Sequence, residues 1–355
     1  MKSGHHPTLG ILADDLTSAA DGAGPFVMRG LSASIGRGRP PRQERTVTVV
    51  DSGARSVPAQ EAAARVAALT APLSARDILY KTVDSTLRGH VAIELEACFR
   101  ASGRATLVFA PAFPEAGRTT VGGIQRVDGV PVSQTVYGRD PVHPARHSAL
   151  ADLVPASIGN VMLLDAETQG ELDAKVAALP DPGTILWVGS PGLAKALARR
   201  LAPGSAPPAT AVLAGGEILV VVGTANPLSH RQADALRAVA GVTVLRSPDS
   251  RQADPAAVLD RLANDALDRV DGGAVAAVIA TGGDTMGAIL QRLGIDEFEI
   301  LRELALGFPL CRALDRRGQP LLLAMKAGGF GDDQTLRDAV AQFRPPRASG
   351  LREAP

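Results

Sequence analysis

The feature that most constrains the fold is a repeated order of short apolar run, polar turn and helical segment. It occurs three times near the start of the chain, where the apolar runs Thr8–Ala13, Thr46–Val50 and Ile78–Tyr80 each lead into a turn with an aspartate and a hydroxyl residue. Strands that alternate with helices indicate a parallel, doubly wound sheet. We therefore predict an α/β fold in which these turns line one crevice at the carboxyl ends of the strands, where ligands of such sheets bind.

Length and composition predict two domains. At 355 residues the chain is too long for one compact core, and with 45% hydrophobic residues it can fill two. The segment Ala202–Gly216 is dense in Pro, Gly, Ala and Ser, which favours a linker, and we place it at 206–216. We expect domains over 1–205 and 217–355, each a mostly parallel sheet flanked by helices, with the active site in the cleft between them.

Charge, cysteine content and hydropathy indicate which ligands and which cellular compartment the chain is suited to. The 37 basic and 37 acidic residues balance, so nothing in the sequence suggests binding to nucleic acid or to an anionic membrane surface. Cys98 and Cys311 lie far apart in apolar surroundings, which favours reduced, buried thiols over a disulfide or zinc site. Met1–Pro7 has no apolar signal core, and no apolar run approaches the length of a membrane span. We expect a cytoplasmic protein with a small-molecule ligand, and the sequence allows a homodimer without indicating one.

The stretch Lys81–His90 has the greatest density of polar chemistry, with two cations, a carboxylate and three hydroxyls in ten residues. Asp84 and Ser85 are suited to hydrogen bonds with hydroxyl groups, while Lys81 and Arg88 can clamp a carboxylate or phosphate. The alternative interpretation is that Asp84 and Arg88 only cap the helix predicted over Val91–Phe99.

Two further turns carry carboxylates. Asp14 and Asp15 are adjacent at the end of a predicted strand. Two neighbouring carboxylates repel each other, so the pair is unfavourable unless it holds a metal, a hydroxyl or a proton in transfer. The alternative is that one of them, or Thr17, simply caps the next helix. The turn after Thr46–Val50 adds Asp51 and Arg55.

The segment Pro111–Thr120 is too rich in Pro and Gly for regular structure, and we predict a ligand loop or lid whose only cation is Arg118. His143 and His147 are four residues apart and, with Asp140, resemble part of a metal site. Because Pro141 and Pro144 disrupt the helical geometry that this spacing needs, metal ligation is disfavoured.

Glycine-rich turns follow predicted strands in the second half of the chain. Val275–Ile279 leads to Gly282, Gly283, Asp284 and Thr285, and Leu321–Met325 leads to Lys326 and three glycines. Backbone N–H groups of such turns can approach a phosphate, although an ordinary turn with Asp284 as N-cap is the alternative. The sequence has no Walker A loop, no Gly-x-Gly-x-x-Gly and no Gly-x-Ser-x-Gly elbow, so P-loop kinases, the usual dinucleotide fold and serine hydrolases are disfavoured.

Six motifs in series resemble the four-carbon acid sugar kinase family, which includes threonate, erythronate and 3-oxo-tetronate kinases. The matching segments are Ala13–Thr17, Lys81–Gly89, Ala112–Pro114 with Gly117–Thr119, Gly189–Ala194, Thr281–Thr285, and Lys326–Gly331. The chain departs from the family pattern at Ser18, where glycine is common, and at Thr224 and Asn226, which stand in place of small hydroxyl residues.

The resemblance implies a kinase of carbohydrate acid catabolism that uses ATP and Mg²⁺ to phosphorylate a hydroxyl of a four-carbon sugar acid. It places the acid in the N-terminal domain and ATP in the C-terminal domain. We assign catalytic roles to Asp14, Asp15, Lys81 and Asp84, and substrate binding to Asp51, Arg55, Ser85, Arg88 and Arg118. ATP binding is assigned to Thr224, Gly282, Gly283, Asp284, Thr285, Lys326, Gly328 and Gly329, and the ligands of the metal are left unassigned.

Two other classes of function stay open. One is a catalytically silent ligand-binding or interaction protein of the same two-lobed fold, and the features that support it are Thr224 and Asn226. A dehydrogenase of hydroxy acids is disfavoured, because the dinucleotide fingerprint is missing.

Overall fold

The computed structural model describes residues 7–140, 142–204, 215–250 and 253–343. The chain divides into two compact units, and it returns twice to the first one. Unit 1 comprises Met1–Pro208, Ile295–Glu303 and Cys311–Ala313, and unit 2 comprises Ala209–Gly294, Leu304–Leu310 and Leu314–Pro355. Of the predicted linker 206–216, all but Gly215 and Gly216 lies outside the described residues.

Unit 1 alternates strands with helices, as the repeated pattern predicts. Its elements from the N-terminal part of the chain are β1 (Leu9–Ala13), α1 (Leu16–Val27), β2 (Ala33–Arg37), β3 (Val47–Asp51), α2 (Ala59–Leu73), β4 (Ile78–Thr82), α3 (Val91–Ser102), β5 (Thr106–Ala110), β6 (Arg118–Val121), β7 (Ile124–Val127), β8 (Val130–Pro131), β9 (Val161–Leu163), α4 (Gln169–Ala178), β10 (Ile185–Gly189) and α5 (Pro191–Leu201).

The sheet of unit 1 runs in the order β2–β3–β1–β4–β10–β5–β9, and each neighbouring pair is parallel. At the β2 edge it is extended by β14 (Glu297–Ala305), which pairs antiparallel with β2 and sets Phe298 opposite Ile35. Helices α2 and α3 pack together over the face that carries Leu12 and Leu79. Helix α1 lies against Ile11 and Tyr80, and because side chains alternate along a strand, it covers the opposite face.

The predicted irregular loop is wrong from Arg118 onward. Strands β6, β7 and β8 form a separate three-stranded antiparallel sheet. The sequence pattern concealed it because β6 is short and turns directly into β7 through Gly122 and Gly123, both with positive φ. These two glycines form the turn of a hairpin.

The remaining elements, most of them in unit 2, are β11 (Glu217–Val222), α6 (Pro227–Asp234), β12 (Val242–Arg246), α7 (Pro255–Asp271), β13 (Val275–Thr281), α8 (Gly283–Leu293), β15 (Phe308–Leu314), β16 (Pro320–Lys326) and α9 (Thr335–Gln342). In unit 2 four strands lie side by side in the order β12–β11–β13–β16, and each neighbouring pair is parallel. Mostly parallel strands with flanking helices, present in both units, confirm the predicted α/β class.

Cys98 and Cys311 are buried free thiols, which is the predicted state. None of the helices in the described ranges combines the length and the apolar character needed to span a bilayer.

Candidate active site

The acidic turn after β1 begins helix α1. Asp15 is the N-cap residue, and its Oδ1 accepts a hydrogen bond from the backbone N–H of Ser18 at 2.7 Å. The Thr17 hydroxyl also donates to this carboxylate, at 3.1 Å. The capping interpretation therefore holds for Asp15, yet 24% of its side chain remains exposed.

Arg55 joins the turn after β3 to this acidic turn. Its Nε donates to Asp14 Oδ2 at 2.7 Å and its Nη2 to Asp14 Oδ1 at 2.9 Å, so the pair is bidentate. Arg55 also donates to Asp15 and, at 3.0 Å, to Ser18 Oγ. Burial alone would raise the pKa of Asp14, but the charges of Arg55 and Lys81 outweigh it and hold that pKa below its usual value.

Gly89 brings the turn after β4 against the same ion pair. Its φ of 96° lies in the left-handed region, and a Cβ there would lie 3.3 Å from Asp14 Oδ2. The turns after β1, β3 and β4 thus meet at Asp14, as predicted for neighbouring parallel strands.

The Lys81 side chain is buried and its ammonium is already paired within the protein. Its ammonium forms a buried ion pair with Glu94 at 2.8 Å and donates to the carbonyl of Thr82 at 2.8 Å, and only 1% of the side chain is exposed. Lys81 therefore acts on the site through its charge, which helps to lower the pKa of Asp14. Its catalytic assignment remains a prediction, and direct contact with a ligand would require these bonds to break.

Asp84 and Arg88 form a pair within the turn after β4. Arg88 Nε donates to Asp84 and, at 3.1 Å, to Thr86 Oγ1, while Arg88 Nη1 reaches Asp140 Oδ2 at 3.5 Å. Although burial opposes it, the charge of Arg88 lowers the pKa of Asp84. The pair does not cap α3, whose N-cap is His90.

Tyr137 links Arg88 to Arg118, and sequence reasoning missed it. The guanidinium carbons of Arg88 and Arg118 lie 5.4 and 5.6 Å from the centroid of its ring. Arg118 Nη2 donates to the Tyr137 hydroxyl at 2.9 Å, and Arg118 Nη1 donates to the carbonyl of Ala116. The available signal was rarity, since the chain has only two tyrosines and this one lies in a polar segment.

Gln125 is a second residue that the sequence did not reveal. Its buried side-chain amide donates to the carbonyl of Ser85 at 2.7 Å and accepts from the Thr120 hydroxyl at 2.6 Å. The small sheet thereby holds the Ser85 turn by its backbone, and the Ser85 hydroxyl stays a predicted ligand contact.

Two carboxyl groups of unit 1 have raised pKa values. Burial raises the pKa of Asp51 to about 6, against the opposing hydrogen bond that its carboxylate accepts from the Gly53 N–H at 2.9 Å. Burial, with the charges of Glu303 and Asp15, raises the pKa of Asp21 to about 8. Asp21 was not among the predicted site residues.

In unit 2, α8 begins at Gly283, and Gly282 is its N-cap with a φ of 97°. Asp284 therefore lies in the first turn of the helix, so its interpretation as N-cap is wrong. The Gly282 N–H donates to the carbonyl of Lys326 at 2.7 Å, which ties the two glycine turns together. Thr285 packs so closely on Gly223 that a Cβ there would lie 2.1 Å from Thr285 Oγ1.

Lys326 is folded into its own loop. Its ammonium donates to the carbonyls of Ala327 at 3.0 Å, Gly328 at 3.3 Å and Phe330 at 3.0 Å. Burial lowers its pKa to about 8. The side chain thus shapes the loop that carries Gly328 and Gly329, and its predicted contact with a cofactor would have to replace one of these bonds.

Thr224 and Asn226 make defined contacts beside this loop. Asn226 caps α6 by accepting from the Leu228 N–H at 2.9 Å, and its own N–H donates to Thr224 Oγ1 at 3.2 Å. The Thr224 hydroxyl lies 3.1 Å from the position of a Cβ on Gly328. The loop is also held by the Ser229 hydroxyl, which donates to the Gly328 carbonyl at 2.8 Å.

Within the described ranges, no three His, Cys, Asp or Glu side chains are grouped so that they could hold a metal ion. His143 packs edge-on against the ring of His90, and His147 faces Asp152 at 3.6 Å. Asp14 and Asp84 already face arginines, so a divalent ion has no prepared set of protein ligands in this part of unit 1.

Comparisons with known proteins identify a sugar-binding and a nucleotide-binding family model in the chain. A family model described as a sugar-binding N-terminal domain matches residues 9–178, and one described as a nucleotide-binding C-terminal domain matches residues 253–336. The chain is 30% identical to the D-threonate kinase of Bordetella bronchiseptica, over 96% of this chain and 98% of that protein. It is 31% identical to the D-threonate kinase of Cupriavidus necator, over 95% and 99%. Relatives at 25% to 29% identity are named 3-oxo-tetronate kinase and D-erythronate kinase.

Solved structures share the fold. A protein of Haemophilus influenzae superposes with a TM-score of 0.75 at 20% identity, over 94% of this chain and all of that one. A domain of unknown function from Bordetella bronchiseptica, 28% identical over 96% of this chain and 100% of that one, has a TM-score of 0.50 and is described as a domain-swapped dimer with bound citrate.

Proposed function

The chain belongs to the four-carbon acid sugar kinase family, and from this premise we propose that it transfers the γ-phosphoryl group of Mg-ATP to a hydroxyl of a four-carbon sugar acid. In this reaction the acceptor oxygen bonds to the γ-phosphorus, the bond to the bridging β–γ oxygen breaks, and ADP leaves. The hydroxyl proton passes to a carboxylate of the protein. Such transfer needs mainly alignment and neutralisation of charge.

The observation that carries the proposal is the cluster of carboxylates and arginines where the turns after β1, β3 and β4 meet. Arg55, Arg88 and Arg118 provide planar donors for the carboxylate and hydroxyls of a sugar acid. Asp51, Asp84 and Ser85 complete the proposed substrate contacts. This assignment places the acid in unit 1.

Asp15 is the better of the two adjacent aspartates for contact with the acceptor hydroxyl. Asp14 is 4% exposed and both of its oxygens face Arg55, whereas Asp15 keeps 24% of its side chain exposed. We assign Asp15 to orient the hydroxyl and accept its proton, and Asp14 to hold Arg55. A carboxylate in hydrogen-bond reach of the attacking hydroxyl is the usual arrangement in kinases.

ATP is assigned to unit 2. The first turn of α8 with Gly282, Gly283, Asp284 and Thr285 offers backbone N–H groups and a hydroxyl for phosphate oxygens, and Gly328 and Gly329 offer a second backbone surface beside Thr224. Mg²⁺ arrives with ATP, because this ion is commonly bound through the phosphates of the substrate and its own waters. Because the reaction draws on ATP, we place the protein in the cytoplasm.

The experiment is the measurement of ADP release from Mg-ATP by the purified protein with both enantiomers of threonate and erythronate and with oxo-tetronates. Release that depends on one acid supports the kinase and identifies its substrate. Nucleotide binding without release on any acid would contradict the kinase and favour the silent ligand-binding protein.

We also propose a homodimer, by analogy with the dimeric relative, and light scattering of the purified protein tests it.

A further inference from the structure

The cations of the acid site differ in one respect, which is whether a carboxylate of the protein already neutralises them. Arg55 faces Asp14 and Asp15, Lys81 faces Glu94, and Arg88 faces Asp84 and Asp140. Arg118 has no carboxylate partner among the described residues, since its guanidinium donates only to the Ala116 carbonyl and the Tyr137 hydroxyl. A half-buried guanidinium without an acid is the cation most ready to accept an anionic ligand.

Arg118 keeps donors for such a ligand. A guanidinium has five N–H groups, and the contacts with Ala116 and Tyr137 use one on each Nη atom. The Nε atom is buried and makes no hydrogen bond. One N–H on each nitrogen is therefore left over, and a carboxylate can accept two such donors side by side.

Tyr137 determines where Arg118 lies. Its hydroxyl accepts from Arg118 Nη2 at 2.9 Å, and its ring lies under the guanidinium at 5.6 Å. The same ring lies 5.4 Å from the guanidinium carbon of Arg88. Because the face of an aromatic ring is electron-rich, it stabilises two cations that would otherwise repel each other.

We propose that Arg118 binds the carboxylate of the sugar acid and that Tyr137 is the positioning residue that holds Arg118, beside Arg88, for this contact. The inference rests on the proposed function. It makes Tyr137 a determinant of specificity for acids over neutral polyols, because the ring and hydroxyl of Tyr137 hold the guanidinium that binds the carboxylate.

The test compares Tyr137→Leu, which removes both the ring and the hydroxyl, with Tyr137→Phe, which keeps the ring. Val136→Ala is the matched control, since Val136 is the preceding residue and is 78% exposed. Each variant is assayed for KM and kcat with the best acid of the wild type, with ATP, and with the four-carbon polyol that lacks the carboxylate.

We expect Tyr137→Leu to raise KM for the acid about tenfold or more, Tyr137→Phe to raise it a few-fold, and neither to change KM for ATP. The kcat/KM for the neutral polyol should not change, which a merely structural defect could not produce. An unchanged KM for the acid in Tyr137→Leu would overturn the inference, and so would an equal loss for acid and polyol.

Failure of the proposed function gives a different result. If the wild type releases no ADP with any acid, binding of D-threonate is measured by calorimetry on the wild type and on Tyr137→Leu without nucleotide. Weaker binding to the variant supports the carboxylate site without the kinase. Equal binding, or none to either protein, overturns the site as well.

Discussion

Arg55 donates to both carboxylate oxygens of Asp14, at 2.7 and 2.9 Å, and so connects the turns that follow β3 and β1 through one buried ion pair. Removing Arg55 would leave the Asp14 carboxylate without its hydrogen-bonded partner in a position that water barely reaches. The pair therefore couples the stability of unit 1 to the geometry of its proposed acid site.

We expect Arg55→Met to reduce the free energy of unfolding by about 3 to 5 kcal/mol at neutral pH, because Asp14 is left buried and ionised without its partner. In the wild type the lowered pKa of Asp14 contributes stability above its ordinary value of 3.8, and this is lost as the pH falls through the folded-state pKa. The deficit of the variant should therefore shrink in acid, where Asp14 is protonated. Urea unfolding over a range of pH measures it.

Two controls accompany this measurement. Arg65→Met removes the exposed pair with Glu61 and should cost no more than about 1 kcal/mol. The double variant Asp14→Asn with Arg55→Met removes both charges and should be more stable than Arg55→Met alone. Equal losses for Arg55→Met and Arg65→Met would contradict the ion pair as a source of stability.

Asp15→Asn should lower kcat about 100-fold or more while the protein stays folded. Asparagine is as good an N-cap as aspartate, so the bond from the Ser18 N–H can persist, whereas the proton acceptor is lost. Asp15→Ala should lose the cap too, with a further cost of about 1 kcal/mol in unfolding free energy. Steady-state kinetics and thermal melts separate the two effects, and full kcat in Asp15→Asn would remove its role as the base.

The alternation of strands and helices was enough to predict the class of fold and the meeting of three turns. Parallel strands bring their carboxyl ends to one edge, so Asp14, Arg55 and Gly89 could be placed together without coordinates. The partner of each side chain could not be predicted in this way. Lys81 was expected to face a ligand, but it pairs with Glu94, which lies one helical turn inside α3 and looks in sequence like an ordinary surface residue.

Lys326→Met should raise KM for ATP about tenfold or more and leave KM for the acid unchanged. The ammonium donates to three carbonyls of the loop that carries Gly328, and methionine offers no donor to replace them. In the wild type KM for ATP should rise above pH 8, since burial lowers the pKa of Lys326 to about 8 and a neutral amine has only two hydrogens for three carbonyls.

The control is the same titration on Lys326→Met, which should show no such rise. A wild-type KM for ATP that stays constant from about pH 7 to about pH 9 would contradict the shaping role of the ammonium. So would a Lys326→Met variant with wild-type nucleotide affinity.

Asp51→Asn should stabilise the protein at neutral pH by about 1 to 3 kcal/mol. Burial raises the pKa of Asp51 to about 6, so the fold favours the protonated acid, and this contribution is present below the ordinary pKa of 3.8 and lost as the pH rises through 6. Asparagine is neutral throughout and can still accept from the Gly53 N–H. The gain should therefore be small at about pH 4 and fully developed above pH 6.

Urea unfolding at acidic and neutral pH measures this effect, with the exposed Glu167→Gln as control for a charge removed from the surface of unit 1. A lower stability of Asp51→Asn at neutral pH would mean that the ionised carboxylate stabilises the turn. This outcome would contradict a raised pKa of Asp51.

The small sheet shows why the rest of the site was hidden from sequence. Gln125 and Tyr137 act across long sequence separations, on the Ser85 carbonyl and on the guanidiniums of Arg88 and Arg118. Neither belongs to a turn at the end of a parallel strand, which was the pattern used to find candidates. Their roles follow from a hairpin that the glycine-rich composition concealed.

The return of the chain to unit 1 has a consequence for its synthesis. A ribosome that has translated residues 1–208 has synthesised all seven parallel strands of unit 1, but the strand that covers β2, with Phe298 opposite Ile35, is made only after most of unit 2. Until then the growing polypeptide carries an open sheet edge, which is a template for pairing with another chain. We therefore expect unit 1 to reach its final form only late in translation, and a fragment cut after residue 205 to associate more readily than the whole protein.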